Sequence, residues 1–298
     1  MADSINGAYV GEDAAGFISA SLLSGETLSK GNITILPNVS YSVNLKKFDL
    51  SASSVVDATC DFTDAGDVTY DDKPLTPKNL GLNKQLCKKE WLSTFAGAQM
   101  RAGVDATLPS NFQEYIIGQA GAVVGQEMEK SIWQGAKATS GEFDGFQALA
   151  LADAAVVDVG ATTLSAANIV AELGKVRDAI LDANYGQEDL GIYLGTAAMK
   201  FYISAQAALG YQDTYHAGVT DANFEGTKLI LASGMGANKM IAARKSNLFF
   251  ATDLVTDMAE VRVLDMTPTD GSDNVRLVMK WNAGVGFANG SDIVYYNA

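Results

Sequence analysis

Few residues in this chain could carry acid–base or metal chemistry. The single histidine, His216, lies in the loop-like segment YQDTYHAG, and no serine stands in a GxSxG nucleophile motif. The two cysteines, Cys60 and Cys87, are 27 residues apart and have no clustered histidine with which to form a zinc site. We therefore expect His216 to be an ordinary loop residue and both cysteines to be buried free thiols.

Two glycine-rich stretches suggest phosphate-binding loops but lack the required residue order. GAKATSGEF (135–143) has a lysine without the Gly-Lys-Ser/Thr sequence, and ASGMGAN (232–238) has GxG without the third glycine. We expect both stretches to be turns or loops between subunits.

Acidic residues are plentiful, but their spacing does not define a catalytic pair. Glu127 and Glu129 lie on a predicted long helix, and Asp71 and Asp72 follow a predicted hairpin. Glycoside hydrolysis needs two carboxyl groups facing each other across a cleft, and nothing here places them so. We expect a solvated acidic surface.

Four lysines near the predicted hairpin could make charge contacts or covalent cross-links: Lys46, Lys47, Lys73 and Lys78. Charge contacts are the simpler interpretation, and we expect no isopeptide bonds. The sequence thus predicts no catalytic, cofactor-binding or metal-binding residue, and no cofactor.

The composition narrows the class of protein. The chain has 298 residues, of which 48% are hydrophobic, and a formal charge of −14. Such a charge repels DNA phosphate, which argues against a sequence-specific DNA reader. The N-terminus MADSINGAYVGEDAAG lacks the pattern of a signal peptide, and no apolar run is long enough to cross a membrane. We expect a protein made and kept in a reducing cytoplasm.

The first hundred residues predict little core of their own. Residues 1–39 are small and polar, which is typical of an arm that orders only against something else. Residues 55–62 and 67–70 are β-prone and flank the turn sequence TDAG (63–66), so they predict a hairpin. Residues 83–100 are compatible with a helix.

The clearest helix prediction covers residues 111–134. Ser110 and Gln113 have the spacing of a capping box, and Gly135 is a plausible C-cap. Apolar residues then recur every three or four positions: Phe112, Ile116, Ala120, Val123 or Val124, Met128 and Ile132. A helix of this length would act as the spine of a domain.

The second half alternates helix and strand and then becomes β again. A helix is predicted after Ser165, a strand at 190–195 and another helix at 196–209, which indicates a compact α/β unit. Residues 260–266 and 275–281 alternate apolar and polar side chains around the turn TPTDGSDN (267–274), so they predict a hairpin. A last strand is predicted at 292–296.

This order of elements resembles the Hong Kong 97-like major capsid proteins of tailed bacteriophages. Four segments also look like such proteins: CDFTDAGDVTYDDKPLTPKNLGLNKQLCKKEWLSTFAGAQM (60–100), LPSNFQEYIIGQAGAVVGQEMEKSIWQG (108–135), GEFDGF (141–146) and VRLVMKWNAGVGFANGSDIVYY (275–296). The resemblance implies an α+β fold with an N-terminal arm (1–39), an extended loop (40–82), a peripheral domain with the spine helix (83–161 and 257–298) and an axial α/β domain (162–256).

The resemblance also implies a function. The chain would be a structural, non-enzymatic subunit whose hexamers and pentamers form an icosahedral shell around double-stranded DNA. Its partners would be portal, scaffolding and decoration proteins, with weak non-specific contact to DNA and none to a membrane. Because the hairpin follows within about 40 residues, we expect the scaffold to be a separate protein. The location would be the virion, after assembly in the host cytoplasm.

Three alternatives remain open. An encapsulin-like compartment subunit would share the fold, but a cargo-enzyme gene rather than terminase and portal genes would accompany it. An acidic α/β hydrolase would need the nucleophile motif that is missing here. A tail or decoration protein would form rods or trimers rather than shells.

Overall fold

The structure is a computed structural model that describes residues 6–10, 25–50, 52–58, 60, 64–87, 110–160, 162–210, 222–253 and 260–298. The first part of the chain contains β1 (Asn6–Val10), α1 (Glu26–Ser29), β2 (Thr34–Pro37), β3 (Val43–Leu50), β4 (Val68–Leu75) and β5 (Lys78–Cys87). The middle part contains α2 (Ser110–Gln134), α3 (Phe146–Ala152), β6 (Val157–Gly160), α4 (Ile169–Asp178), β7 (Leu190–Leu194) and α5 (Thr196–Ala208).

The last part contains β8 (Asn223–Phe224), β9 (Thr227–Leu231), β10 (Lys239–Arg244), β11 (Leu248–Thr252), β12 (Glu260–Asp265), α6 (Thr267–Asp270), β13 (Asn274–Phe287) and β14 (Val294–Asn297). Helices and strands are thus mixed, as the predicted α+β class requires. Within the described ranges, no helix combines the length and the hydropathy needed to cross a lipid bilayer.

The first sheet is built around β13, which has 14 residues. The strand order is β1-β12-β13-β11-β2, and β5 also pairs with β13. Apolar and polar side chains alternate along β13, and this alternation decides which face of the strand is buried. Val275, Leu277 and Met279 are buried, whereas Arg276 and Lys280 are exposed. The predicted closing hairpin is confirmed as β12 paired antiparallel with β13. Its connection contains the single helical turn α6.

The second sheet is buried on both faces. Its order is β6-β14-β10-β7-β9-β8. Ile192 and Leu194 of β7 pack in one core cluster with residues of α4 and α5, whereas Tyr193 packs in the other cluster with the spine helix. A strand covered on both sides needs a continuous apolar run rather than alternation, which is why all five residues of LGIYL are buried. The predicted strand and its two flanking helices are confirmed.

The spine helix α2 is confirmed at Ser110–Gln134 and spans roughly 38 Å at 1.5 Å per residue. Its predicted apolar positions Ile116, Met128 and Ile132 are buried. Trp133 is fully buried, with ring centroids 5.5 Å from Phe146 and 5.1 Å from Tyr193. The helix shares one core cluster with strands of both sheets, among them β13 through Met279 and β7 through Tyr193. The predicted capping box involves side chains outside the described part of the structure.

The helix predicted at 83–100 is wrong over residues 83–87, which belong to β5. Leu82 and Leu86 are four apart, a spacing that fits one face of a helix and also one face of a strand. Ten residue pairs between β5 and β13 decide the outcome in favour of the strand. Residues 88–100 lie outside the described residues.

The first hairpin exists, but only its second strand was predicted: the predicted strand 67–70 falls within β4, whereas β3 lies before the predicted strand 55–62. It pairs β3 with β4 through eight residue pairs, from Val43 opposite Leu75 to Leu50 opposite Val68. Residues 55–58, predicted as part of a strand, have no regular structure, and 61–63 lie outside the described residues. The β-propensity of Val55 and Val56 was misleading, because none of the strands that the structure describes pairs with them.

Residues 25–37 bury more than their composition suggests. Thr27, Leu28 and Ile33 are buried, and β2 adds a parallel strand to the edge of the first sheet beside β11. The expectation that residues 1–39 have little to bury is therefore wrong for this part of the segment. Its partners are far away in sequence, so local composition does not reveal them. The division into an arm and two domains stays a prediction.

Candidate assembly surface

The hairpin of β3 and β4 carries apolar side chains on its outward face. Phe48 lies directly opposite Tyr70, and their ring centroids are 5.4 Å apart. The next pair outward on the same face is Leu50 and Val68. Phe48 is 61% exposed and Tyr70 76% exposed, so this face contacts solvent rather than the core.

Exposed apolar side chains are concentrated at this end of the hairpin. Of the twelve large hydrophobic side chains exposed among the described residues, six form what we call the tip patch: Phe48, Leu50, Val55, Val56, Val68 and Tyr70. Scattered exposed hydrophobics are normal on protein surfaces, but a cluster on one projecting element marks an interaction site. The sequence signal is the alternation in KKFDL and DVTYDD, whose strand assignment was only partly predicted.

The other face of the hairpin is attached to the body at what we call the hairpin root: Leu45, Lys73 and Leu75. Leu45 and Leu75 are buried in a small core with Ala251 of β11. Lys73 forms an ion pair with Asp153, just after α3, and its Nζ lies 4.4 Å from the ring centroid of Phe287. The hairpin thus has an anchored root and an apolar tip.

The lysines singled out in the sequence divide between contacts inside the subunit and the surface. Lys78 donates to the backbone carbonyls of Lys137 and Glu142, at 3.1 and 2.7 Å, and so fixes the loop after the spine helix. Lys73 is likewise used within the chain, through its ion pair with Asp153. Lys46 is exposed on the outward face of the hairpin and Lys47 is half-buried.

Neither glycine-rich stretch is an open phosphate loop. A Cβ at Gly135 would lie 2.3 Å from the carbonyl oxygen of Phe143, and one at Gly234 would lie 2.0 Å from that of Glu129. Gly135 therefore allows the backbone to pack closely at the end of the spine helix, and Gly234 allows a loop to pack closely against that helix. The prediction of turns is supported, and the turn 232–238 packs within the subunit.

The two acidic residues on the spine helix have opposite environments. Glu127 has a 61% exposed side chain and lies 4.0 Å from Lys130 Nζ. Glu129 is buried, and its carboxylate accepts hydrogen bonds from both the backbone N–H and the hydroxyl of Thr27. The expectation of a solvated surface is wrong for Glu129, because its partner Thr27 is 102 positions away. Asp72 is exposed as expected, and the side chain of Asp71 lies outside the description.

Glu172 shows how the other buried carboxylates are held. Its oxygens accept hydrogen bonds from Lys175 at 2.9 Å and from Thr162 Oγ1 at 3.0 Å, and the Tyr296 hydroxyl is 2.9 Å away. Burial raises the pKa of this carboxyl, but the hydrogen bonds from Lys175, Tyr296 and Thr162 outweigh burial and lower the pKa below its usual value. A carboxylate surrounded by donors and kept ionised braces α4 against β14.

The two cysteines differ in exposure. Cys60 is an exposed thiol, so the expectation of burial is wrong for it, while Cys87 at the end of β5 is half-buried. His216 lies outside the described residues.

Burial raises the pKa of the Tyr295 hydroxyl to about 12, with a smaller contribution from Asp158. Among the side chains that the structure describes, no three His, Cys, Asp or Glu residues form a metal-binding group.

A spine helix between two sheets, with a projecting hairpin that has an anchored root and an apolar tip, defines a capsid-type fold. No protein-family model matches the chain, and no curated protein sequence is similar to it. Solved structures are similar in fold. The capsid of an empty GTA particle has 11% identity over 100% of this chain and 94% of its own, with a TM-score of 0.56.

Two further structures extend the comparison. The capsid of Myoviridae phage XM1 has 13% identity over 91% of each chain and a TM-score of 0.54. A virus-like particle from Pyrococcus furiosus has 13% identity over 96% of this chain and 99% of its own, with a TM-score of 0.55. The chain therefore has the Hong Kong 97-like capsid fold over essentially its whole length, and the fold class predicted from the sequence is confirmed.

Proposed function

We propose that this chain is the major capsid protein of a tailed bacteriophage. Many copies assemble into an icosahedral shell that encloses double-stranded DNA. The observation that carries the proposal is the tip patch: an apolar surface on a projecting hairpin, in a chain whose fold is that of capsid subunits. The role is structural, and no catalytic, cofactor or metal site is proposed.

Burial of the tip patch against another subunit would be favourable. Fully burying a side chain such as Phe or Leu stabilises by about 1.5–3 kcal/mol relative to leaving it exposed. Six such side chains on one hairpin leave a large part of this free energy unused in the isolated subunit. A neighbour that covers the patch recovers it. Because the tip contacts a different surface on that neighbour, the contact is heterologous and closes into rings and shells.

The domains predicted from the resemblance assign further roles. Residues 162–256 would surround the axes of hexamers and pentamers, and residues 1–39 would reach neighbouring subunits as an arm. Portal, scaffolding and decoration proteins would be the other partners. The mature subunit would reside in the virion after assembly in the host cytoplasm.

The net charge of the subunit determines how strongly the shell would interact with packaged DNA. The subunit carries −14, so attraction to DNA cannot fill the shell. Contact with the packaged duplex is weak, independent of sequence and limited to a few lysines. Packing then requires a separate motor driven by ATP.

A second candidate, the subunit of a protein compartment, is favoured by the similarity to the virus-like particle from Pyrococcus furiosus. Particles purified from the cells that naturally produce them distinguish the two. A phage capsid contains double-stranded DNA that is protected from nuclease until the shell is opened, and it copurifies with portal protein. Shells that contain a single abundant enzyme and no protected DNA would overturn the phage assignment in favour of the compartment.

A further inference from the structure

The hairpin root has a close-packed side and an open side. On the close-packed side, two glycines of β13 let the hairpin approach. A Cβ at Gly284 would lie 2.9 Å from Cα of Pro77, and one at Gly286 would lie 3.0 Å from Cδ1 of Leu75. A Cβ at Gly284 would clash with backbone, and one at Gly286 would force the Leu75 side chain to shift. The two glycines therefore form a notch in which the end of β4 and the following Pro77 are seated.

On the open side, a groove of about 350 Å³ separates the root from α3. Its walls include Leu45 and Leu75 of the hairpin and Leu149 and Ala152 of the helix. Leu45 and Leu75 pack on Ala251 on their inner side, but across the groove they have open space rather than a packing partner, which leaves room for the hairpin to tilt.

One ion pair crosses between the two walls of this groove. Lys73 comes from β4 and Asp153 from the residue after α3. Both ends are held in place, since Lys73 Nζ lies 4.4 Å from the ring centroid of Phe287 and Asp153 Oδ1 accepts the N–H of Ala155 at 2.9 Å. Both side chains are also partly shielded from water, with 31% and 22% of their surfaces exposed. A pair with preorganised, partly shielded ends is stronger than an ordinary surface ion pair.

We propose that Lys73 and Asp153 form a latch that holds the hairpin at one angle to the body, and that opening the latch lets the hairpin tilt about the glycine notch into the groove. The tip is distant enough for a small rotation to matter. Lys73 is five positions along the strand from Val68, or about 17 Å at 3.3–3.4 Å per residue. A rotation of about 10° at the root would therefore move the tip patch by roughly 3 Å. That such a movement changes where the tip meets a neighbouring subunit rests on the proposed function, whereas the latch itself does not.

The test measures the hairpin angle in the unassembled full-length subunit. Nitroxide labels are attached at Val56→Cys on the tip and Leu181→Cys on the body, both exposed sites, in a chain carrying Cys60→Ser and Cys87→Ser. Pulsed electron–electron double resonance then gives the distribution of distances between the two labels. Lys73→Met keeps an apolar stem over Phe287 and removes the charge, and the charge swap Lys73→Glu with Asp153→Lys restores a pair.

We expect Lys73→Met to widen or split the distance distribution and the charge swap to narrow it again. Asp153→Asn, a smaller change, covers the case in which Lys73→Met fails to fold. Lys46→Met, on the opposite face of the same hairpin, is the matched control and should leave the distribution unchanged. Identical distributions in the parent, Lys73→Met and Asp153→Asn chains would overturn the latch. A parent chain that never forms shells would instead contradict the proposed function and leave the latch result intact.

Discussion

Glu129, near the end of the spine helix, accepts the backbone N–H of Thr27 at 3.1 Å, although 102 positions separate the two residues. The Thr27 hydroxyl donates to the same carboxylate and accepts the indole N–H of Trp133 at 3.0 Å. Two side chains of the spine helix thus hold the first turn of α1. This relationship joins residues 25–37 to the core and makes the spine helix the element on which the N-terminal part of the body depends.

Replacing Glu129 tests that connection. Glu129→Ala would leave the Thr27 N–H and hydroxyl buried without an acceptor, so we expect a loss of about 2–4 kcal/mol in the free energy of unfolding. Glu127→Ala, two positions away and exposed, should change it by no more than about 0.5 kcal/mol. Chemical denaturation of the unassembled subunit measures both. Equal effects of the two substitutions would show that the Thr27 contact contributes nothing.

A second prediction concerns how substitutions on the apolar face of the spine helix change the stability of the subunit. Ile116 is 5% exposed, so Ile116→Asp places an unpaired charge in the core and should cost about 3 kcal/mol or more. Val123→Asp, on the same helix at a site that is 53% exposed, should cost less than about 1 kcal/mol. Thermal melts followed by circular dichroism compare the two variants. A melting temperature unchanged by Ile116→Asp would mean that this face does not pack as described.

The tip patch should be needed for assembly and not for folding. Phe48→Ser combined with Tyr70→Ser removes the two facing rings, and we expect an unchanged melting temperature but a loss of assembly by at least tenfold, because the surface for a neighbour is gone. The matched control is Lys46→Ser with Asp72→Ser, the adjacent polar pair on the same face, which should assemble nearly as well as the parent. Sedimentation velocity separates subunits from shells. Normal assembly of the double aromatic variant would remove the tip patch from the interface.

Glu172 predicts a particular dependence of stability on pH. Its pKa is lowered in the folded chain, so its ionised form contributes stability that is present above its ordinary pKa of about 4.3 and is lost as the pH falls through the folded value. Glu172→Gln lacks this ionisation. The difference in melting temperature between the parent and Glu172→Gln should therefore be largest near pH 7 and shrink as the pH falls below about 4. A difference that grows on acidification would contradict the assigned direction.

The elements that could be predicted from the sequence are those whose patterns are local. The spine helix and the closing hairpin repeat apolar residues with a period that only one type of element satisfies, so their bounds agree with the structure within a few residues, except that β13 continues six residues beyond the predicted end at 281. The buried strand β7 was also predictable, because its apolar run is too short for a typical helix.

The elements that could not be predicted depend on distant partners. β5 became a strand because β13, almost 200 positions later, lies beside it. The hairpin pairs β3 with β4 over a long connection, and its tip patch became visible only once that register was known. Likewise, no local pattern around Glu129 reveals that Thr27 is its partner. In each of these cases the deciding contact is non-local, which single-sequence periodicity does not report.

The most direct test of shell formation is electron microscopy of the purified full-length chain at high concentration, alone and with the proposed scaffolding protein. We expect capsomers or closed, roughly spherical shells of uniform size. The variant carrying Phe48→Ser and Tyr70→Ser, imaged under the same conditions, should remain as folded subunits. A chain that stays a stable monomer at high concentration with the scaffold present would contradict its role as a capsid subunit.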